Sequence, residues 1–168
     1  ENIKQRDLEI NVGASEFSLT DNEELSDFLV VDSKYVKDHI EPELKYSQSN
    51  DTLDIQFSTK SPRNIFFFRN ISSEFDLILG NVNIPTNLDI QLGAGAGEVS
   101  LGKTLLEDVN AKVGAGDLEM SLLDKSVPKK ITLDIGAANM DLTIPKDSGF
   151  SIEYKVGVGD LTVDNESL

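Results

Sequence analysis

The chain has 168 residues, 39% of them apolar, which suits one globular domain, or one elongated domain made of a head and a repeat stack, better than two separate cores. Fifteen lysines and arginines against thirty aspartates and glutamates leave a net charge of −15, which repels nucleic-acid phosphates and anionic lipid headgroups alike, so no nucleic-acid partner is expected. Cysteine is absent, which excludes disulfides, thiolate zinc sites and cysteine nucleophiles without fixing a redox compartment.

No apolar run reaches the roughly 18 residues of a membrane span, and residues 1–10 do not form a basic-then-apolar leader. Because the sequence opens on Glu1, we expect an anchor or signal upstream, with membrane attachment only through that missing segment. Residues 8–19 alternate apolar and polar side chains around Gly13, a unit that recurs later in the chain. Residues 21–26 suit one short helical turn. Strand-like stretches follow at 28–36, 43–47 and 52–57, with Asn50-Asp51 as a hairpin turn, while Pro42 and Pro62 argue against long helices between them.

His39, the single histidine, lies in a polar stretch and reads as a surface residue rather than a general base. Phe66, Phe67 and Phe68, flanked by Lys60, Arg63 and Arg69, form the densest aromatic cluster. They are a candidate interaction tip, weighed against packing of alternate rings beneath the head. Residues 1–75 thus read as a β-rich, irregular head that caps one end of a stack formed by 76–168, the two together making one continuous domain.

The stack is written in a repeat. Residues 88–101, 109–122, 131–144 and 152–163 share one pattern, and their leading glycines Gly93, Gly114, Gly136 and Gly157 fall 21, 22 and 21 residues apart. Period-two alternation before and after each small-residue turn marks half-buried strands. Val109, Ala111, Val113, Leu118, Met120 and Leu122 form the inward set of one copy, and Ile131 through Ile144 repeat it. The predicted fold is an all-β β-solenoid of stacked two-strand units, each marginal without its neighbours. Gly93, Gly95, Gly114, Gly116, Gly136, Gly157 and Gly159 are structural turn residues that accept backbone angles costly elsewhere. Ala138 and Asn139 replace the second glycine and its neighbour in the third unit, tolerable because asparagine visits the left-handed region. Two extra residues between Gly93 and Val99 predict a bulge or wider corner in the first unit.

The glycines do not make a dinucleotide fingerprint, because a strand follows them where a helix is required, and Gly102-Lys103-Thr104 lacks the upstream glycine of a phosphate loop. No cofactor is expected. In-register stacking would place Glu98, Asp117, Asn139 and Asp160 in one column at about the 4.8 Å strand spacing. That column reads as a solvated acidic edge, with a weak divalent-cation ladder as the sharper alternative.

The run from Phe75-Asp76-Leu77-Ile78-Leu79-Gly80, through Asn83-Ile84-Pro85-Thr86, into the Gly-Ala-Gly units resembles the bacterial toast-rack domain, most closely over 72–163 and more weakly over 1–60. That family is linked by name to cell-wall-active antibiotic response proteins and overlaps with adhesin-like β-solenoids. Pro85 and Pro145 fit its strand-end positions, while phenylalanines stand in the head where relatives often carry tryptophan. The resemblance implies an extracytoplasmic, membrane-tethered envelope protein and carries no active site. The expected function is a non-enzymatic envelope interaction or sensing module, in cell-wall stress or antibiotic response, whose partner is a protein or a cell-wall component. A self-assembling or adhesin-like module, homo-oligomeric through stack ends, is the alternative. A polysaccharide-active β-helix enzyme ranks last, because connections such as 123–130 are short.

Overall fold

A computed structural model describes residues 3–35, 40–60, 73–146 and 148–166. Among these there is no α-helix, only a 3-10 turn at Asp124–Ser126, and the ten strands belong to one sheet. They are β1 (Gln5–Asp21), β2 (Leu29–Lys34), β3 (Glu41–Ser49), β4 (Thr52–Lys60), β5 (Glu74–Leu79), β6 (Thr86–Leu101), β7 (Leu106–Leu122), β8 (Lys130–Pro145), β9 (Ser151–Val158) and β10 (Leu161–Glu166). The β2, β3 and β4 strands and the Asn50 turn, with φ of 55°, fall where the sequence puts them. Residues 21–26 make a single hydrogen-bonded turn, the Leu25 N–H donating to the Asn22 carbonyl (3.3 Å), that does not continue as helix. The Asn22 carboxamide oxygen also accepts the Glu24 N–H, a local bond that competes with helix.

β6, β7 and β8 pair parallel and in register, so that Val113 lies beside Ile135 and Ile135 beside Val156. Parallel neighbours with short returns constrain each strand. β6 has 16 residues and would run about 50 Å if straight, whereas the step from Leu101 to Leu106 spans at most about 18 Å. Each long strand must therefore fold back on itself at its glycines, giving a first arm and a second arm. Inward positions of both arms are almost completely buried, including Ile90, Val113, Leu118, Ile135 and Leu142.

Residues 8–19, expected with the head at one end, run through the middle of the sheet. β1 pairs in register with β6 on one side, and with β4 (first arm) and β5 (second arm) on the other. The chain thus lays down β1, builds the rung behind it with β4 and β5, and crosses back to continue from its other side. β3 against β4 and β2 against β5, both antiparallel, close that end.

The glycines divide into two columns with different causes. A Cβ at Gly93, Gly114, Gly136 or Gly157 would lie 2.6–2.8 Å from the carbonyl oxygen of the glycine one rung back. Close approach, rather than a special φ, requires glycine there. In the second column Gly95, Gly116 and Gly159 do hold φ of 134–143°, and a Cβ would also collide with the rung below. Asn139 is not among the residues with positive φ. Ala138 takes the place of the second glycine, buried and in register with Gly116.

The corner of β6 carries no bulge. Gly95 pairs with Gly116, Gly97 with Leu118 and Val99 with Met120, while the register shift falls between Thr86 and Leu88. Gly97 occupies an inward position, and a Cβ there would stand 2.5 Å from the ring of Phe17 and 2.9 Å from Leu118 Cδ1. The missing side chain is replaced by the phenyl ring of the preceding rung. Gly116→Ala, strained in φ and colliding with the Gly95 carbonyl, is expected to cost about 3 kcal/mol or more in urea unfolding. Gly149→Ala, with nothing within 4 Å, should fall within about 0.5 kcal/mol of the wild type. Equal costs would contradict the close-approach account.

Candidate functional site

The outward side chains of the first arms line a trough of about 950 Å3 across β4, β1, β6, β7 and the start of β8. Parallel pairing puts like positions of successive rungs about 4.8 Å apart, where two carboxylates would repel. Acids do stack here, Glu9 beside Asp89 and Asp7 beside Asp54, and an amide on a neighbouring rung binds three of these four carboxylates. Gln56 Nε2 donates to Glu9 Oε2 (3.0 Å), Asn87 Nδ2 to Asp7 Oδ1 (2.9 Å) and Asn110 Nδ2 to Asp89 Oδ2 (2.7 Å). Lys45 and Ser47 of β3 and Lys130 of β8 border the same trough. After these bonds each amide keeps its carbonyl oxygen and a second N–H, so the floor presents fixed donors and acceptors.

The second arms carry the acidic face, in a different arrangement from the predicted ladder. Glu98 stands in register with Glu119 and Asp141, while Asp117 is one column over beside Asn139. Glu98 and Asp117 therefore do not share a column, because the unbulged corner shifts Glu98 by two residues. Asn139 Nδ2 donates to Asp117 Oδ1 (2.9 Å), and Asp117, Asn139 and Asp160 line a shallow depression. Among the described residues no three acids or histidines converge to hold a metal ion. Phe66, Phe67, Phe68 and His39 lie outside the described residues.

Two charged groups hold the core in ways the repeat does not announce. Asp21, at the end of β1, accepts the backbone N–H groups of Gly102 (3.1 Å), Lys103 (2.8 Å) and Thr104 (2.7 Å) on one carboxylate oxygen. The Gly-Lys-Thr loop is thus an anion-binding nest, occupied by a carboxylate of the same chain. Arg6 sits at an inward position of β1, fully buried. Its Nε donates to Thr86 Oγ1 (3.0 Å), and Nη1 donates to the carbonyls of Gly80 (2.7 Å) and Phe28 (3.2 Å). Burial pushes its pKa down to about 10. It ties β1 to β6 and to the two loops closing the head. Inward parity in Arg6-Asp7-Leu8-Glu9-Ile10 is the sequence signal that places it in the core.

The fold and trough define an all-β rack of parallel, folded-back strands with a polar trough on one face. The chain belongs to the toast-rack family: its residues 1–143 match the profile of the N-terminal domain of toast_rack, DUF2154. Its fold is also that of a candidate cell adhesion protein from Clostridium sporogenes, whose crystal structure is similar with a TM-score of 0.87 at 17% identity over 98% of this chain and 94% of that one. No curated protein matches the chain.

Asp21→Ala would leave three donors without their charged acceptor, an expected loss of about 2–3 kcal/mol in urea unfolding, with Asp21→Asn intermediate. An unchanged midpoint for both would contradict the nest. For Arg6 the folded pKa of about 10 lies below its ordinary value, so between the two the unfolded chain binds more protons and Arg6 contributes stability that rises with pH. The stability difference between wild type and Arg6→Met should therefore widen from about pH 9 to about pH 11, and a constant difference would contradict the buried charge.

Proposed function

We propose that this chain is a non-enzymatic interaction module of the bacterial cell envelope, with the first-arm trough as its contact surface. The observation that carries this is the row of amide–carboxylate pairs on the trough floor. Each of these three carboxylates is held as a fixed acceptor, and each amide keeps a carbonyl oxygen and a second N–H for a further partner. Such a surface suits a polymer rich in hydroxyl and amide groups, which points to a cell-wall component as partner. Membership of the toast-rack family and the cell-adhesion description of the Clostridium sporogenes protein support an envelope setting.

In this reading the rungs form a β-solenoid, tethered outside the cytoplasm by a segment beyond the sequence given, and contact with the wall serves adhesion or the sensing of wall damage and antibiotics. The net charge of −15 favours the peptidoglycan itself over the anionic polymers attached to it.

Sedimentation of the full chain with insoluble peptidoglycan, stripped of anionic polymers, tests the proposal. The wild type should pellet with the wall, and Glu9→Lys combined with Asp89→Lys should abolish pelleting. Asp141→Lys, on the second-arm face, should pellet as the wild type does. A wild type that stays in the supernatant, or trough variants that still pellet, would refute the assignment.

A further inference from the structure

The inward columns of the rack end abruptly at β9 and β10. Along the first arm one column runs Phe57, Ile10, Ile90, Ala111, Leu133 and then Tyr154. Leu133 is 1% exposed, whereas Tyr154 is 67% exposed, and its inward neighbours Ile152 and Val156 are only partly buried. On the second arm Leu142 is 1% exposed and Val163, its partner on β10, 39%. Beyond them no strand among the described residues pairs with the free edge of β9 or β10. That edge presents an open ladder of backbone donors and acceptors beside an uncovered apolar interior.

The opposite edge is treated differently. β3 carries Pro42, which donates no backbone hydrogen bond, and Glu43, which bridges Lys45 (3.0 Å) and Lys60 (2.8 Å). Those two lysines hold the Glu43 carboxyl below the usual carboxylate range. Proline and charge on an edge strand discourage pairing with another chain. β9 has no proline, and its sequence Ile152-Glu153-Tyr154-Lys155-Val156 is complementary to itself when reversed.

We propose that the β9 edge pairs with the β9 edge of a second copy of this chain, antiparallel and centred on Tyr154. In that register Ile152 faces Val156, Tyr154 faces Tyr154, and the interiors of the two racks join into one. On the outer face Glu153 of each copy meets Lys155 of the other, giving two ion pairs by symmetry. Glu153 is already turned to that face, where it contacts Lys130 of its own chain at 2.9 Å, and it is exposed enough to serve both lysines. Because the pairing is isologous it closes at two copies. Stacking β9 on β3 would instead propagate, and the Pro42 and Glu43 edge opposes it.

Sedimentation velocity of the full chain, from micromolar to near-millimolar concentration, tests this. The wild type should pass from monomer to dimer and no further. Glu153→Lys and Lys155→Glu, each setting like charges face to face, should each weaken the dimer by about tenfold or more. The double reversal of Glu153→Lys with Lys155→Glu should restore it, which a variant that merely unfolds would not do; circular dichroism establishes that each single variant is folded. A wild type that is monomeric throughout, as when another protein or a further part of the chain covers the edge, overturns the proposal. So do single reversals that leave the dimer intact, or a double reversal that fails to rescue it.

Discussion

Everything in this molecule depends on the backbone of one rung resting against the backbone of the next at the glycine corner. Returns of a few residues force each long strand to fold back, and parallel pairing in register then brings every corner over the one before it. The space that a Cβ would need is filled by the carbonyl oxygen of the preceding rung, as at Gly114 over Gly93 and Gly136 over Gly114. Had the corners stood further apart, the two arms could not both pair and the aliphatic columns would not stack. Glycine is thus selected by neighbours some twenty residues away in sequence, and at Gly95, Gly116 and Gly159 by backbone conformation as well.

Much of this was legible in the sequence, because stacking repeats a local pattern. Alternation in residues 109–122 and 131–144 identifies both arms and their inward faces, and the glycine spacing gives the length of a rung. What escaped is what crosses the repeat. No local signal says that β1 lies between β4 and β6, since the matching copies at 8–19 and 88–101 are separated by the head. Gly97 looked like part of a longer corner because its lost side chain is supplied by Phe17 of another rung. The same shift moved Glu98 out of the column predicted for it. Asp21 and Arg6 are ordinary polar residues by type, and only the parity of β1 and the loops that meet them give them their roles.

The two faces of the rack show how a chain this acidic tolerates stacking like positions upon like. On the first arms Glu9 stacks on Asp89 and Asp7 on Asp54, and flanking amides from Gln56, Asn87 and Asn110 offset the repulsion with hydrogen bonds. On the second arms Asn139 relieves Asp117, while Glu98, Glu119 and Asp141 stand outward in solvent. The first solution fixes side chains in place; the second leaves them exposed. The trough, rather than the more acidic face, therefore carries the functional reading. A similar division separates the ends of the rack, one closed by antiparallel strands and charge, the other with its interior open.

The placement of β1 between β5 and β6 is the feature from which the rest of the architecture follows, and a chain without native cysteines makes it directly measurable. Cysteines introduced at Ser18 and Glu98, or at Ser18 and Asp76, would occupy adjacent strands about 4.8 Å apart, within reach of a disulfide. Cysteines at Asp76 and Glu98 would be two strands apart, about 9.6 Å, and beyond it. Under mild oxidation the account predicts that the first two pairs close and the third does not. Closure of the Asp76 and Glu98 pair, with Ser18 linking to neither, would show β5 beside β6 and contradict it.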